Sequence, residues 1–377
     1  MRSKSLTAFV TALVLCHTAR AETPPPPRFL GSQSCSTSGC HGGAKTNRDQ
    51  FLVWSKKDFH SRSYATLTIA RSQRIAETLR IADPRQNARC TVCHTPFQAV
   101  PESARAPSAT PTEGVSCESC HGTSDFWLRT HTRPDYTHAD RVTAGMRDLK
   151  NLYVRANTCV ACHQNVDTNL VFAGHPELIF ELDGQCVTEP KHWREAPNWS
   201  GAQAWLVGQA VALRELSWQL AREPQPTDRL KARWSGLLWV LQQADDTSLP
   251  SLAPLEREPS PGNATKAQTL SDELARHAAA IEWSADRSRR VLARLAATGP
   301  AFADAAIPQE VQARRAERLV LALDRLVGSL PPDAPATRTD LDRLFSLVQS
   351  LPDFDPRQFS ESVRSFDQTL SQSGSPK

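Results

Sequence analysis

Past residue 192 the chain has no cysteine and a single histidine, His277, although its 377 residues hold 10 cysteines and 11 histidines. Thiol and imidazole chemistry is thereby confined to the first half. Methionine is nearly absent at 2 residues, and Met146 is the only one beyond the N-terminal segment. No later apolar run approaches the ~18 residues that a membrane-spanning helix requires. The formal charge is only +4, and no basic stripe is interleaved with aromatic residues, so nucleic-acid binding has no support. Glycine is outnumbered by proline, 16 to 27, which favours stiff connections.

The first 21 residues carry the signature of a secretory signal. Arg2 and Lys4 precede an apolar run from Leu6 to Cys16, and Ala19-Arg20-Ala21 places small residues at the cleavage positions. A lipid-anchored form through Cys16 is disfavoured, because the residue before such a cysteine is small and Leu15 is not. The expectation is an exported, periplasmic, soluble protein. Its remaining length exceeds one domain of about 100–200 residues. Three segments are expected: 1–21, a cysteine- and histidine-rich domain over 22–198, and a helical domain over 199–377.

Ser200 and Gln203 read as a capping box opening a helix with Trp205, Leu206, Leu213, Leu216 and Leu220 on its apolar side. Further helices are expected at 228–243, 271–297, 308–329, 338–350 and 356–371, separated by proline-bearing joints. This half reads as an α-helical bundle without internal repeats. The first half has few long periodic stretches and cannot build a core from side chains alone.

What it has instead is four clusters: Cys35-Ser-Thr-Ser-Gly-Cys40-His41, Cys90-Thr-Val-Cys93-His94, Cys117-Glu-Ser-Cys120-His121 and Cys159-Val-Ala-Cys162-His163. Histidine follows the second cysteine every time, a coincidence of roughly one in a million for residues placed at random. Two thiols that add across haem vinyl groups, with the next residue ligating the iron, require this spacing. Zinc knuckles do not need histidine at that position, and short Cys-x-x-Cys pairs are more often redox-active than structural disulfides. Four covalently bound haem c groups are expected, with His41, His94, His121 and His163 as proximal ligands. The first cluster is longer by two residues and needs Ser38-Gly39 to bulge outward. Cys186 is left over and reads as a buried, inert thiol.

With methionine scarce, histidine must supply the opposite axial ligands. His60, His131, His175 and His192 are the candidates, and His138 is the spare. Around His175, Gly174 permits close backbone approach and Pro176 fixes the turn. Arg48, Arg62, Arg89 and Arg155 are candidate partners for haem propionates, weighed against ordinary surface arginines. Taking Arg2, Lys4 and Arg20 from 44 basic residues leaves 41 against 40 acidic, so the propionates would make the loaded protein net acidic.

The stretches Gly31-Ser-Gln-Ser-Cys35, Trp54 to His60, Glu113-Gly-Val-Ser-Cys-Glu-Ser-Cys-His-Gly122, Ala173-Gly-His-Pro-Glu-Leu178 and Pro190-Lys-His-Trp193 resemble a known family over roughly residues 29–222. It is the multihaem cytochromes c related to the tetrahaem electron acceptor of hydroxylamine oxidoreductase. The resemblance implies a mainly α, haem-wrapping domain with little regular core, closely packed haem pairs, mostly bis-histidine irons and electron relay. Two departures matter. The helical half lacks the further attachment motif of many similar chains, and Val166 to Asn169 lacks a histidine often found there. The second departure keeps an alternative in view: a reductase or oxidase of a small nitrogen or sulfur compound at one five-coordinate haem. Expected partners are periplasmic or membrane-bound redox proteins, with docking through the helical domain as an option. A pyridine haemochrome assay and intact mass of the exported protein are expected to give four haems per chain. Three would remove the long first cluster from the set.

Overall fold

The computed structural model describes residues 26–45, 48–330, 335–349 and 353–373. The secretory signal, with Cys16, lies outside them. The described chain is helical, and its only β pairing is an isolated bridge between Phe29 and Arg105. The helices are α1 Gln50–Lys57, α2 Ser63–Thr66, α3 Ala70–Thr78, α4 Ala88–His94, α5 Cys117–His121, α6 His138–Thr143, α7 Leu152–His163, α8 Thr168–Phe172 and α9 Leu182–Thr188, followed by α10 Gly201–Arg222, α11 Asp228–Gln243, α12 Pro261–Ala280, α13 Ala285–Ala296, α14 Gln309–Gly328, α15 Pro335–Leu347 and α16 Pro356–Ser373.

The early helices are short, and local polar caps start several of them. Asn87 accepts from the Arg89 amide at the head of α4, and Asn151 from Tyr153 and Val154 at the head of α7. Ser116 and Ser119 form a reciprocal box at α5. A buried carboxylate holds the segments together: Glu118 accepts from the amides of Leu30 at 2.8 Å, Gly31 at 2.6 Å and Ser124 at 2.7 Å. Three charge-assisted bonds compensate for burying that charge.

The later half packs as a bundle in which α10 lies against α7, α9, α11 and α12, while α14 lies against α11 and α13. Its core is aromatic. Trp205, Trp234 and Trp239 are buried, and Trp239, Phe302, Phe359 and Phe354 form a chain of ring contacts with centroids 5.5, 4.7 and 5.4 Å apart. The same apolar cluster reaches back to Leu152, Ala156 and Val160. The helix carrying the fourth Cys-x-x-Cys-His motif is thus rooted in the bundle.

Two expectations change. The helix expected over 271–297 is two helices, because Ile281 takes an extended conformation and the Ser284 hydroxyl caps a new start by accepting from the Arg287 amide. The first of the two begins earlier, with Ser260 as its cap and Pro261 in its first turn, where no amide is needed. The capping box at Ser200 is half formed. Ser200 caps α10, while the Gln203 side chain donates instead to the carbonyls of Ala278 and Ile281, both at 2.8 Å, closing the end of α12. Part of the joint from Pro331 to Pro335, and Pro352, fall outside the described residues. Phe302→Ala is expected to cost about 3–5 kcal/mol, as deletion of a fully buried aromatic does. Denaturant unfolding followed by far-UV circular dichroism checks it.

Candidate functional site

Helical geometry explains three of the four clusters. In α4, α5 and α7 the two cysteines and the histidine stand at positions i, i+3 and i+4, which share one face, and each helix ends on the histidine. The first cluster reaches a comparable closure without an α-helix. Its four-residue insert turns back so that the Cys40 amide donates to Thr37 O at 2.9 Å and the His41 amide to Cys35 O at 3.2 Å. Ser38 and Gly39 are exposed, so the insert lies outward.

No cysteine among the described residues is in a disulfide. Thiols from different clusters lie near enough to influence one another's ionisation: Cys35 with Cys117, and Cys93 with Cys162. Each contact pulls one thiol pKa down and pushes its partner's up. Burial pushes Cys120 up to about 11 and Cys159 to about 12. Cys186 is buried, raised by desolvation, and within 3.7 Å of Arg155 Nη1.

The histidines fall into facing pairs drawn from distant parts of the chain. The rings of His41 and His131 lie 6.0 Å apart and 15° from parallel. His163 and His60 are 5.9 Å apart at 85°, and His94 and His175 are 6.4 Å apart at 72°. Two imidazoles that share one metal through bonds of ~2.0 Å, with ring centres ~1.2 Å behind the nitrogens, have centres ~6.4 Å apart. The observed separations are close to that figure. His121 is in no such ring pair among the described residues, and the strongest charge influence on it is that of His192. Burial brings His121 down to about 4, and His192 and then His41 add to the effect. Burial likewise lowers His94, His131 and His163, keeping the rings neutral as metal ligation requires.

Six of these rings are held at Nδ1, which leaves Nε2 for a metal. The partners are Gln50 Oε1 for His41 at 2.8 Å, Ser63 O for His94 at 3.1 Å, Trp127 O for His131 at 3.1 Å, Pro176 O for His175 at 2.8 Å and Pro190 O for His192 at 3.4 Å. For His60 they are Asp58 at 3.1 Å and Glu189 at 3.3 Å. His138 is held the other way, with Nε2 at 2.9 Å from Asp148. Exposed His277 bonds its own helix at Glu273 O.

Several residues outside the sequence-derived set fix these rings. Gly114 has φ of 73°, and a Cβ there would stand 2.7 Å from the His60 carbonyl, so the approach of Val115 to His60 needs glycine. Gly174 is needed for its φ of 107° rather than for close approach, since its Cβ would meet only Ile75 at 4.0 Å. Arg71 holds the Gly174 carbonyl at 2.7 Å. On the other side of His175, Glu177 pairs with Arg229 at 2.7 Å, Arg233 at 3.1 Å and Arg314 at 3.4 Å, all from the helical half. Glu195 joins Trp193 Nε1 at 2.7 Å to Arg155 at 2.9 Å and ties the His192 segment to α7. Arg155 is therefore committed to Glu195, and Arg89 pairs with Asp167 at 2.9 Å. Arg62 lies over the Phe59 ring. None of these carboxylates and arginines forms a motif, and only the fold brings them to the histidines.

Large apolar side chains left exposed cluster in the same half: Phe59, Ile69, Val92, Phe126, Phe172 and Val187, against Trp218 alone in the bundle. Paired thiols, imidazoles with a free Nε2 and uncovered apolar surface fit a covalently held, flat, iron-bearing ring. They do not fit a zinc knuckle: the one group of three or more His, Cys, Asp or Glu near enough to share an ion, among the described residues, is Asp58, His60 and Glu189, with no cysteine.

These features define a c-type haem protein. Residues 34–122, which hold the first three clusters, match the family described as Cytochrome c554 and c-prime. The match supports a multihaem c-type cytochrome with covalently bound haem c, in electron transfer. No curated protein and no solved structure matches the chain. Among the described residues no helix is long and apolar enough to cross a membrane.

Glu177→Ala leaves Arg233 and Arg314, which are nearly buried, without their shared carboxylate. The expected cost is about 3–5 kcal/mol in denaturant unfolding. Release of the His175 loop is read separately, as new carbon monoxide binding by the reduced, haem-loaded protein.

Proposed function

We propose that the chain is a periplasmic tetrahaem c-type cytochrome that relays electrons between redox partners, each iron held between two histidines. The pairs are His41 with His131, His94 with His175, His121 with His192 and His163 with His60. Thioether attachment runs through Cys35 and Cys40, Cys90 and Cys93, Cys117 and Cys120, and Cys159 and Cys162. The observation that carries this reading is that three motif histidines each have a second histidine ring within 6.4 Å, while the strongest charge influence on the fourth, His121, is that of His192. A five-coordinate catalytic haem needs one motif histidine without such a neighbour, so the pairing favours a carrier over a reductase or oxidase.

When bound, haem c supplies a one-electron couple whose potential responds to axial ligands, hydrogen bonding and burial. The protein's part is to hold and space the sites. Contacts of Cys35 with Cys117 and of Cys93 with Cys162, and the influence of Cys120 on Cys159, string the attachment points in the order first, third, fourth, second. Such a row suits a relay. On this reading the partners are periplasmic or membrane-bound redox proteins, in parallel with the tetrahaem electron acceptor of hydroxylamine oxidoreductase, and the helical half is a docking platform.

Low-temperature EPR of the oxidised protein is expected to show low-spin ferric signals integrating to four haems. A high-spin signal worth one haem in the unmodified protein would defeat the carrier reading. His192→Ala is expected to create such a signal, and His138→Ala to leave the spectrum unchanged.

A further inference from the structure

The partners of the ring nitrogens are not alike. His41, His94, His131, His175 and His192 each meet a neutral oxygen at Nδ1, from an amide or a backbone carbonyl. Of the six rings held at Nδ1, His60 alone meets carboxylates there, Asp58 at 3.1 Å and Glu189 at 3.3 Å. Asp58 is 3% exposed and is fixed by accepting the His60 amide at 2.8 Å, so it cannot turn away. Glu189 arrives from the C-terminal end of α9, 129 residues away in sequence. Among the described residues neither carboxylate pairs with a lysine or arginine, and His60 is the only ionic partner of both.

We propose that Asp58 and Glu189 are positioning residues that give the iron held by His163 and His60 the lowest reduction potential in this protein. The inference rests on the axial pairing proposed above. An Nδ1 proton given to a carboxylate moves the ring toward imidazolate, a stronger donor to iron than a ring bonded to a carbonyl. Stronger donation and a half-buried negative charge both favour the ferric over the ferrous state. This also accounts for the three-residue cluster of Asp58, His60 and Glu189, which would otherwise resemble an independent cation site.

The test is a potentiometric titration of the haem-loaded protein, followed by EPR and visible absorption, on unmodified, Asp58→Asn and Glu189→Gln forms. Asparagine keeps the acceptor for the His60 amide, so the local turn is preserved. In each variant the lowest of the midpoints is expected to rise while the others stay. For Asp58→Asn the rise should correspond to at least a tenfold change in the oxidised-to-reduced ratio, ~59 mV for a one-electron couple. The shifting signal is identified as the low-spin species lost in His60→Ala. If the lowest midpoint stays in both variants, or a different haem moves, the proposal is overturned, although unchanged low-spin spectra would leave the bis-histidine reading standing. A midpoint that responds to EDTA in the unmodified protein would also overturn it, since the trio would then hold a separate cation. Should the unmodified protein show a high-spin haem, the axial pairing itself fails, and that outcome is distinct from the others.

Discussion

An imidazole that ligates a metal through one nitrogen is oriented by a hydrogen bond at the other. That constraint organises the first half of this protein. Short helices and tight turns place the histidines, and an oxygen at Nδ1 then fixes six of the rings. The oxygen is a neighbouring carbonyl where the local chain can provide it, as at Trp127, Pro176 and Pro190. Elsewhere it comes from another segment, as for Ser63 on His94 and Glu189 on His60. Burial adds to this by lowering the pKa of His94, His121, His131 and His163.

The helical half supplies what the first half lacks. Its aromatic core is continuous with α7, which carries the fourth Cys-x-x-Cys-His cluster. Its arginines reach back to the acidic residues around α9: Glu177 meets Arg229, Arg233 and Arg314, Glu181 meets Arg318 at 2.8 Å, and Asp183 meets Arg325. Breaking such buried pairs is costly, so they specify one arrangement of the His175 loop against the bundle. The proposed docking role and this scaffolding role are compatible, because the clamp uses only one face of the bundle helices.

Much of this was legible from local pattern. Every Cys-Cys-His cluster is read directly, and α11, α14 and α16 fall within about two residues of the periods that announce them. The split near Ile281 was not legible, because its apolar spacing continues through the break and only the Ser284 cap interrupts it. Gln203 misled for a related reason: its local role as a cap lost to a distant one, closing α12. Arg155 stands beside a cluster in sequence yet is taken by Glu195, a preference no spacing records.

Sequence alone marked the four Cys-Cys-His clusters proposed to attach haem, because thioether formation and proximal ligation act within a few residues and demand fixed spacing. It also narrowed the opposite ligands to a handful of histidines, since methionine and later histidines are missing. Tertiary structure decided which histidine faces which, from His60 opposite His163 to His175 opposite His94. It decided too that His60, unlike the others, rests on carboxylates. Those contacts join residues far apart in the chain, and their free energies depend on burial and distance, which exist only once the chain has folded.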